Sequence, residues 1–163
     1  MKNNYNIRQA KDVDLHNIML IYNSYIKESF AAYSEENISI DFIINLKRQA
    51  ISFYVIEIDQ KIVGFCVLKN YLPSVNFKHT GVLTYFILSE FTRKGYGTFL
   101  FNKLVLDAKN NGINTIYIHL SSLNESSLNF HKKHGFIECA RFDDIAKKFN
   151  KSFDIIWMKK HLE

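Results

Sequence analysis

A central strand, a basic turn and a helix follow one another between residues 82 and 108, and few folds accommodate that succession. Val82 to Leu88 is too continuously apolar for a half-exposed strand and reads as a buried one. Beyond it, Leu100, Phe101, Leu104, Val105 and Ala108 recur at helical spacing, with Lys103, Asp107 and Asn110 expected on the outward side. Between them lies Thr92-Arg93-Lys94-Gly95-Tyr96-Gly97-Thr98. A helix start leaves its first N–H groups unpaired and its dipole favours an anion, so a basic turn there reads as a phosphate seat. The glycines at 95 and 97 either let a ligand approach the backbone or simply shape the strand-to-helix turn.

The spacing narrows the ligand. Neither G-x-x-x-x-G-K-[ST] nor G-x-G-x-x-G is present, so a nucleoside-triphosphate loop and a dinucleotide fingerprint are both unsupported. What stands is R-x-G-x-G-[ST], which suits a pyrophosphate such as that of coenzyme A. A net charge of +5 raises nucleic acid as a partner. The lysines are scattered, however, with short pairs at 132–133, 147–148 and 159–160 and no sustained basic stripe, so no nucleic-acid partner is expected. Cys66 and Cys139 lie in apolar strand-like runs without metal-type spacing and are expected to be buried free thiols in a reducing compartment. Met1 to Asn6 carries no apolar stretch, and no run approaches the ~20 apolar residues of a membrane span. Neither leader nor membrane is expected, and a cytoplasmic location is.

The 163 residues read as one domain, 1–163, without repeat or linker. Tyr5 to Arg8 is a strand; Asp12 opens a helix with Val13, Leu15, Ile18, Met19, Tyr22 and Ile26 on its apolar face. Residues 28–37 break that period as a loop, and Ile40 to Gln49 is a second helix. Ser52 to Ile58 and Ile62 to Tyr71 make a hairpin about Asp59-Gln60-Lys61, followed by a loop, Leu72 to Lys78. Thr115 to Leu120 alternates as a strand with Ile116, Ile118 and Leu120 on one face. Ser122 with Glu125 fits a capping box and Asn124 is the other candidate cap for a short helix that stops at Gly135. Phe136 to Phe142 and Phe153 to Met158 are the last strands. The order β-α-α-β-β-β-α-β-α-β-β predicts an α/β fold, a mixed sheet with helices on its faces.

Arg93-Lys94-Gly95-Tyr96-Gly97-Thr98, followed by Asn124-Glu125-Ser126-Ser127-Leu128-Asn129-Phe130-His131-Lys132-Lys133-His134-Gly135-Phe136, resembles the GNAT N-acetyltransferases. It is most similar to their phosphinothricin acetyltransferase branch, which Ile7-Arg8-Gln9-Ala10, Ile21-Tyr22-Asn23 and Lys147-Lys148-Phe149 with Asp154 also match. The resemblance implies a GNAT-like, mostly antiparallel sheet with helices on both faces, acetyl-CoA as cosubstrate, a small-molecule amine as acceptor and a homodimer. It further implies that the backbone of Phe86, Ile87 and Leu88 pairs with the pantetheine amides and that the amides of Arg93 to Thr98 (Arg93, Lys94, Gly95, Tyr96, Gly97 and Thr98) hold the pyrophosphate. Asn124, with Ser126 or Ser127 near it, would hold the pantetheine arm, and N–H groups near Ile87 and Leu88 would stabilise the oxyanion. His131 takes the place of acid or proton relay, or is a packed helix histidine; His119 and His134 are expected to be structural or exposed. Tyr22, Asn23, Phe30, Tyr33 and Phe77 are candidates for the substrate pocket.

Two departures from that pattern shape the expectation. The branch usually places a glutamate base where this chain has Val82, so a base must come from His79, His131, another group such as Glu57, or a water chain. The loop Leu72-Pro73-Ser74-Val75-Asn76-Phe77 holds no cation before Lys78, which fits a less charged amine or amino acid better than an acidic phosphinate. The expected function is direct acetyl transfer from acetyl-CoA to the amine of an amino acid or amino-acid-like antimetabolite. The alternative is an acyl-CoA-binding module whose catalysis is weak or lost because of Val82.

Overall fold

The computed structural model describes residues 5–163; Met1 to Asn4, part of the start read above as carrying no leader, lie outside the described residues. Chain order runs β1 (Tyr5–Gln9), α1 (Leu15–Glu28), α2 (Ile40–Gln49), β2 (Ala50–Ile58), β3 (Lys61–Asn70), β4 (Thr80–Ile87), α3 (Tyr96–Asn110), β5 (Thr115–Ser121), α4 (Glu125–Lys133), β6 (Ile137–Lys148) and β7 (Lys151–His161). The seven strands form one sheet in the order β1-β2-β3-β4-β5-β7-β6. Among the described residues only β4 and β5 run parallel; the other five pairs are antiparallel. The expected element order and the mostly antiparallel sheet are both observed. No helix among the described residues is long and apolar enough to cross a membrane.

Strand alternation divides the core in two. Tyr54, Ile56, Cys66, Leu68, Leu83, Ile87, Ile116, Ile118, Ile156 and Met158 face one way and pack with Leu100, Phe101, Leu104 and Ala108 of α3. Phe53, Val55, Phe65 and Val67 face the other and pack with Leu15, Ile18 and Ile21 of α1 and Ile43 of α2. Helices thus cover both faces. The β2–β3 hairpin closes through Asp59 and Gln60, whose φ of 49° and 64° are those of a tight turn matched to strand twist.

Five local readings are corrected. Val13 is 80% exposed, because Asp12–Asp14 is a separate 3₁₀ turn out of phase with α1. Asp107 does not point away: it is buried, and Ser52 Oγ and Tyr54 Oη each donate to its Oδ2 at 2.6 Å while Lys103 Nζ donates to Oδ1 at 3.0 Å. Cys139 is exposed, since every residue of β6 from 137 to 145 lies on an uncovered edge strand. The last hairpin is longer than expected: β6 and β7 pair through to Lys148↔Lys151 across a turn at Phe149 and Asn150. A register shift after Phe142, braced by Asp144 N–H donating to Asp154 Oδ1 at 2.9 Å, hides that strand's period. Finally, Ser122 does not cap α4; its N–H donates to Asp154 O at 2.9 Å, and Asn124 caps instead, accepting from Ser127 N–H at 3.2 Å.

Candidate active site

A wedge opens in the middle of the sheet. β4 pairs with β5 only through Thr80↔Thr115, Gly81↔Ile116 and Val82↔Tyr117. Beyond Val82, β4 stays with β3 as far as Gly64↔Ile87 and β5 stays with β7 as far as Ser121↔Ile155, so the two strands part. Backbone groups alternate sides along an antiparallel strand. Leu88 N–H donates to Val63 O at 2.8 Å, and Thr80 O accepts from Tyr71 N–H at 3.1 Å, so even-numbered residues of this segment point to β3. Tyr85 and Ile87 therefore turn their backbone groups into the wedge, where the Ile87 carbonyl accepts from the Tyr25 hydroxyl. Of Phe86, Ile87 and Leu88, Ile87 is the one directed into the opening.

The basic turn stands at the mouth. Gly95 is the residue before α3 and has φ +88°; a Cβ there would meet nothing within 4 Å, so glycine is required by the left-handed backbone rather than by crowding. A Cβ at Gly97 would lie 3.3 Å from Phe130 Cε2 and 3.8 Å from Ile87 Cδ1, so this glycine brings the start of α3 against α4 and the end of β4. Arg93 and Lys94 are exposed, with Lys94 Nζ 5.1 Å from the Phe91 ring centroid. The Tyr96 side chain is core. Thr98 Oγ1 lies 3.2 Å from His134 Nε2; since His134 Nδ1 donates to Phe130 O at 2.8 Å, the threonine hydroxyl is the donor. Asn124 and the exposed Ser126 sit where β5 gives way to α4. A left-handed glycine, a helix start and cations beside an opening into which β4 turns backbone groups fit a nucleotide thioester such as acetyl-CoA.

His131 is buried on the α3–α4 side. Its Nδ1 donates to Ser127 O at 2.7 Å, so Nε2 is the acceptor, and it is hydrogen-bonded by the Tyr85 hydroxyl. Burial pulls the imidazole from 6.5 down to about 4; the Ser127 carbonyl opposes this and His134 adds to it. Burial also pushes the Tyr85 phenol well above 10. The pair is uncharged at neutral pH. Ser127 Oγ, 3.2 Å from Nδ1, belongs to the same cluster.

The opposite face of the wedge is aromatic. Val82, Thr84 and Phe86 of β4 share it with Lys69 of β3, Tyr117 and His119 of β5, and Trp157 and Lys159 of β7. Tyr71 lies 5.9 Å from Trp157 and 6.4 Å from Tyr117, ring to ring, and Phe77 packs on Tyr71 at 5.7 Å. Tyr22 packs on Phe86 at 4.9 Å, and Tyr33 reaches His119, its hydroxyl 2.9 Å from Nδ1. Phe30 instead packs on Phe149 and Phe153, under the last hairpin. Asn23 is committed to Ile38, accepting its N–H at 2.9 Å and donating to its carbonyl at 3.3 Å. His79 is exposed at the closed end of the β4–β5 pair, three residues before Val82, and the structure does not bring it to the wedge. Glu57 is held by Arg8 at 2.6 Å between β1 and β2, away from the opening.

Sequence reasoning missed Tyr85, Lys69, Tyr71, Tyr117 and Trp157, and it read His119, which is exposed, as structural or exposed rather than as part of this face. The signal for two of them was present: with Ile116, Ile118 and Leu120 on one face of β5, Tyr117 and His119 must occupy the other.

Comparison with known proteins bears on the family and the fold. The acetyltransferase (GNAT) family model matches residues 17–136. The chain is 22% identical over 161 residues to an L-amino acid N-acyltransferase, MnaT, of Escherichia coli (strain K12), covering 96% of this chain and 94% of that protein. It is likewise 22% identical over 162 residues to the L-methionine sulfoximine/L-methionine sulfone acetyltransferase of Pseudomonas aeruginosa, with 96% and 94% covered. In fold it matches the phosphinothricin acetyltransferase of Sinorhizobium meliloti in complex with acetyl-CoA, with a TM-score of 0.89 at 18% identity, covering 97% of this chain and 88% of that one. The chain belongs to the GNAT family of acetyltransferases, whose acyl donor is acetyl-CoA.

Proposed function

We propose that this acetyltransferase acylates the α-amine of an amino acid or amino-acid-like small molecule directly, within a ternary complex. The observation that carries the reading is the β4–β5 wedge, with a phosphate-type helix start at its mouth and an aromatic pocket on the side of the sheet facing α1. Acetyl-CoA supplies an activated acetyl thioester. The Ile87 N–H, directed into the wedge, serves as an oxyanion donor, and the amides of residues 93–98 with Asn124 hold the nucleotide arm. His131 acts as a proton relay through the Tyr85 hydroxyl rather than as a stored imidazolium.

The loop before β4 brings no cation to the pocket, but Lys69 does, sharing the face of Val82 with which it pairs. An ammonium beside aromatic rings suits an α-carboxylate with an apolar or weakly polar side chain. The related proteins named for amino acids and methionine sulfoximine support the same class. We infer the rest of the setting from the same reading: one catalytic domain over residues 1–163, a homodimer, in the cytoplasm. The deciding experiment is thiol release from acetyl-CoA against a panel of L-amino acids, phosphinothricin, methionine sulfoximine and plain amines. Turnover with amino acids above plain amines is expected. Tight acetyl-CoA binding without turnover on any amine would favour the acyl-CoA-binding alternative, to which the buried Val82 points.

A further inference from the structure

We propose that His119 is the general base that takes the acceptor's ammonium proton, in place of a carboxylate at position 82. The proposal rests on the amine-acetylation reading above. Val82, Tyr117 and His119 share one face of the sheet, and Val82↔Tyr117 is the last β4–β5 pair. His119 lies two residues further along β5, about 7 Å toward the open end of the wedge at ~3.3 Å per residue. The residue keeps an exposed edge, yet its ring is held: it packs 4.8 Å from Trp157, and the Tyr33 oxygen is 2.9 Å from Nδ1. In the base form Nδ1–H donates to that oxygen, which leaves the lone pair on Nε2.

The surroundings keep the ring in its basic form. Facing it are Tyr33 from the segment between α1 and α2, Lys69 from β3, Tyr117 on its own strand, and Trp157 and Lys159 from β7. None is a carboxylate, so nothing holds a proton on the imidazole. Burial among the rings and the Lys69 charge both lower its pKa from 6.5. The reacting sequence balances. Nε2 takes one proton from R–NH₃⁺, and the freed nitrogen lone pair attacks the thioester carbonyl carbon while the C=O π pair moves to oxygen. That pair returns as the C–S bond breaks, coenzyme A departs as thiolate, and the second nitrogen proton ends on sulfur. The imidazolium then releases the first proton to water through its exposed edge.

The test is steady-state thiol release by the wild type, His119→Gln and Tyr33→Phe between pH 5.5 and 9.5, with the best amino acid of the panel. Ring ¹⁵N shifts of His119 in the wild type are measured alongside. The expected wild-type kcat/KM has an acid limb below pH 6.5. His119→Gln loses about 10²-fold in kcat at pH 7, the lower end for a general base, with KM for acetyl-CoA unchanged. Its rate then climbs with the free-amine fraction across the whole range, without the break below pH 6.5 that marks the wild type. The ¹⁵N shifts should report the Nδ1–H tautomer. A kcat within about threefold of wild type with the limb intact, or an Nε2–H tautomer, overturns the proposal. If the variant does not fold, the wild-type tautomer and the Tyr33→Phe profile decide. Silence of the wild type toward every amine overturns the amine-acetylation reading itself and this proposal with it, a result told apart because the unaltered chain is then inactive.

Discussion

Acidification removes a definable amount of stability from this fold through His131. In the unfolded chain its imidazole titrates at 6.5; in the folded chain, at about 4, chiefly because it is buried. Above pH 6.5 neither state binds the proton. Between 6.5 and 4 the unfolded chain binds it and the native one does not, so stability falls as pH falls through that window. At 1.36 kcal/mol per pH unit, the full interval corresponds to about 3 kcal/mol, present above 6.5 and lost by pH 4. Against a typical total of ~5–15 kcal/mol this is a large fraction.

Urea unfolding of wild type and His131→Gln at pH 4.5, 5.5, 6.5 and 7.5 isolates the contribution, because His119 and the paired carboxylates titrate alike in both proteins. The variant is expected to be the less stable at pH 7.5, and the gap should close by about 2.5 kcal/mol at pH 4.5. A gap that stays constant with pH would refute the reasoning, as would a ring signal for His131 titrating near 6.5. Either result would also restore an imidazolium at neutral pH as a direct acid for the leaving thiolate, which the neutral Tyr85–His131 pair excludes.

The two glycines of the basic turn should separate by substitution. Gly95→Asn is expected to cost at most about 1 kcal/mol, since asparagine tolerates left-handed φ and the site is open, whereas Gly97→Asn meets Phe130 and should cost more and weaken coenzyme A binding by calorimetry. Lys148→Met leaves the carbonyls of Ser29 and Ala32, each now accepting from Nζ at 2.7 and 2.6 Å, without a partner. It should lower stability by about 1–3 kcal/mol in thermal melts and raise the acceptor KM, because those carbonyls fix the segment that carries Tyr33. Burial alone would raise the Asp107 pKa, but hydrogen bonds from Ser52, Tyr54 and Lys103 outweigh it, and the net shift is down. Asp107→Ala should therefore cost about 1–3 kcal/mol at pH 7 by urea unfolding, with the deficit shrinking as pH falls below the ordinary carboxylate range.

Legibility in the sequence follows period and partner. α2 and the β2–β3 hairpin could be read because a single face is apolar or a two-residue turn is forced. The end of β6 could not: its outer face is solvent, its period is broken by the shift after Phe142, and its pairing depends on Asp154 from the next strand. Asp107 was misplaced for a related reason. A carboxylate at helical spacing reads as outward unless its donors are known, and Ser52 and Tyr54 lie more than fifty residues away. The glycine-bearing basic turn between β4 and α3 was legible because its signals are local. The aromatic face proposed for the acceptor was not, since it draws on residues of β3, β4, β5, β7 and the segment after α1, none adjacent in sequence.

Beyond Val82, β4 borders the wedge, and that explains how two proton-handling groups can coexist without neutralising each other. Its side chains alternate: Tyr85 reaches His131 on the α3–α4 side, while Val82, Thr84 and Phe86 face Lys69, Tyr117 and His119 on the other. On the present reading, proton removal from the amine and proton delivery toward sulfur occur on opposite faces of one strand, with the thioester in the gap between. A glutamate at 82 and a histidine at 119 would stand on the same face, and the carboxylate would hold the imidazole protonated. Valine at 82 is then the condition for a histidine base at 119 rather than a sign of lost catalysis. Val82→Glu should accordingly raise the His119 pKa above 6.5 and move the acid limb of kcat/KM upward, instead of accelerating an enzyme that lacks a base.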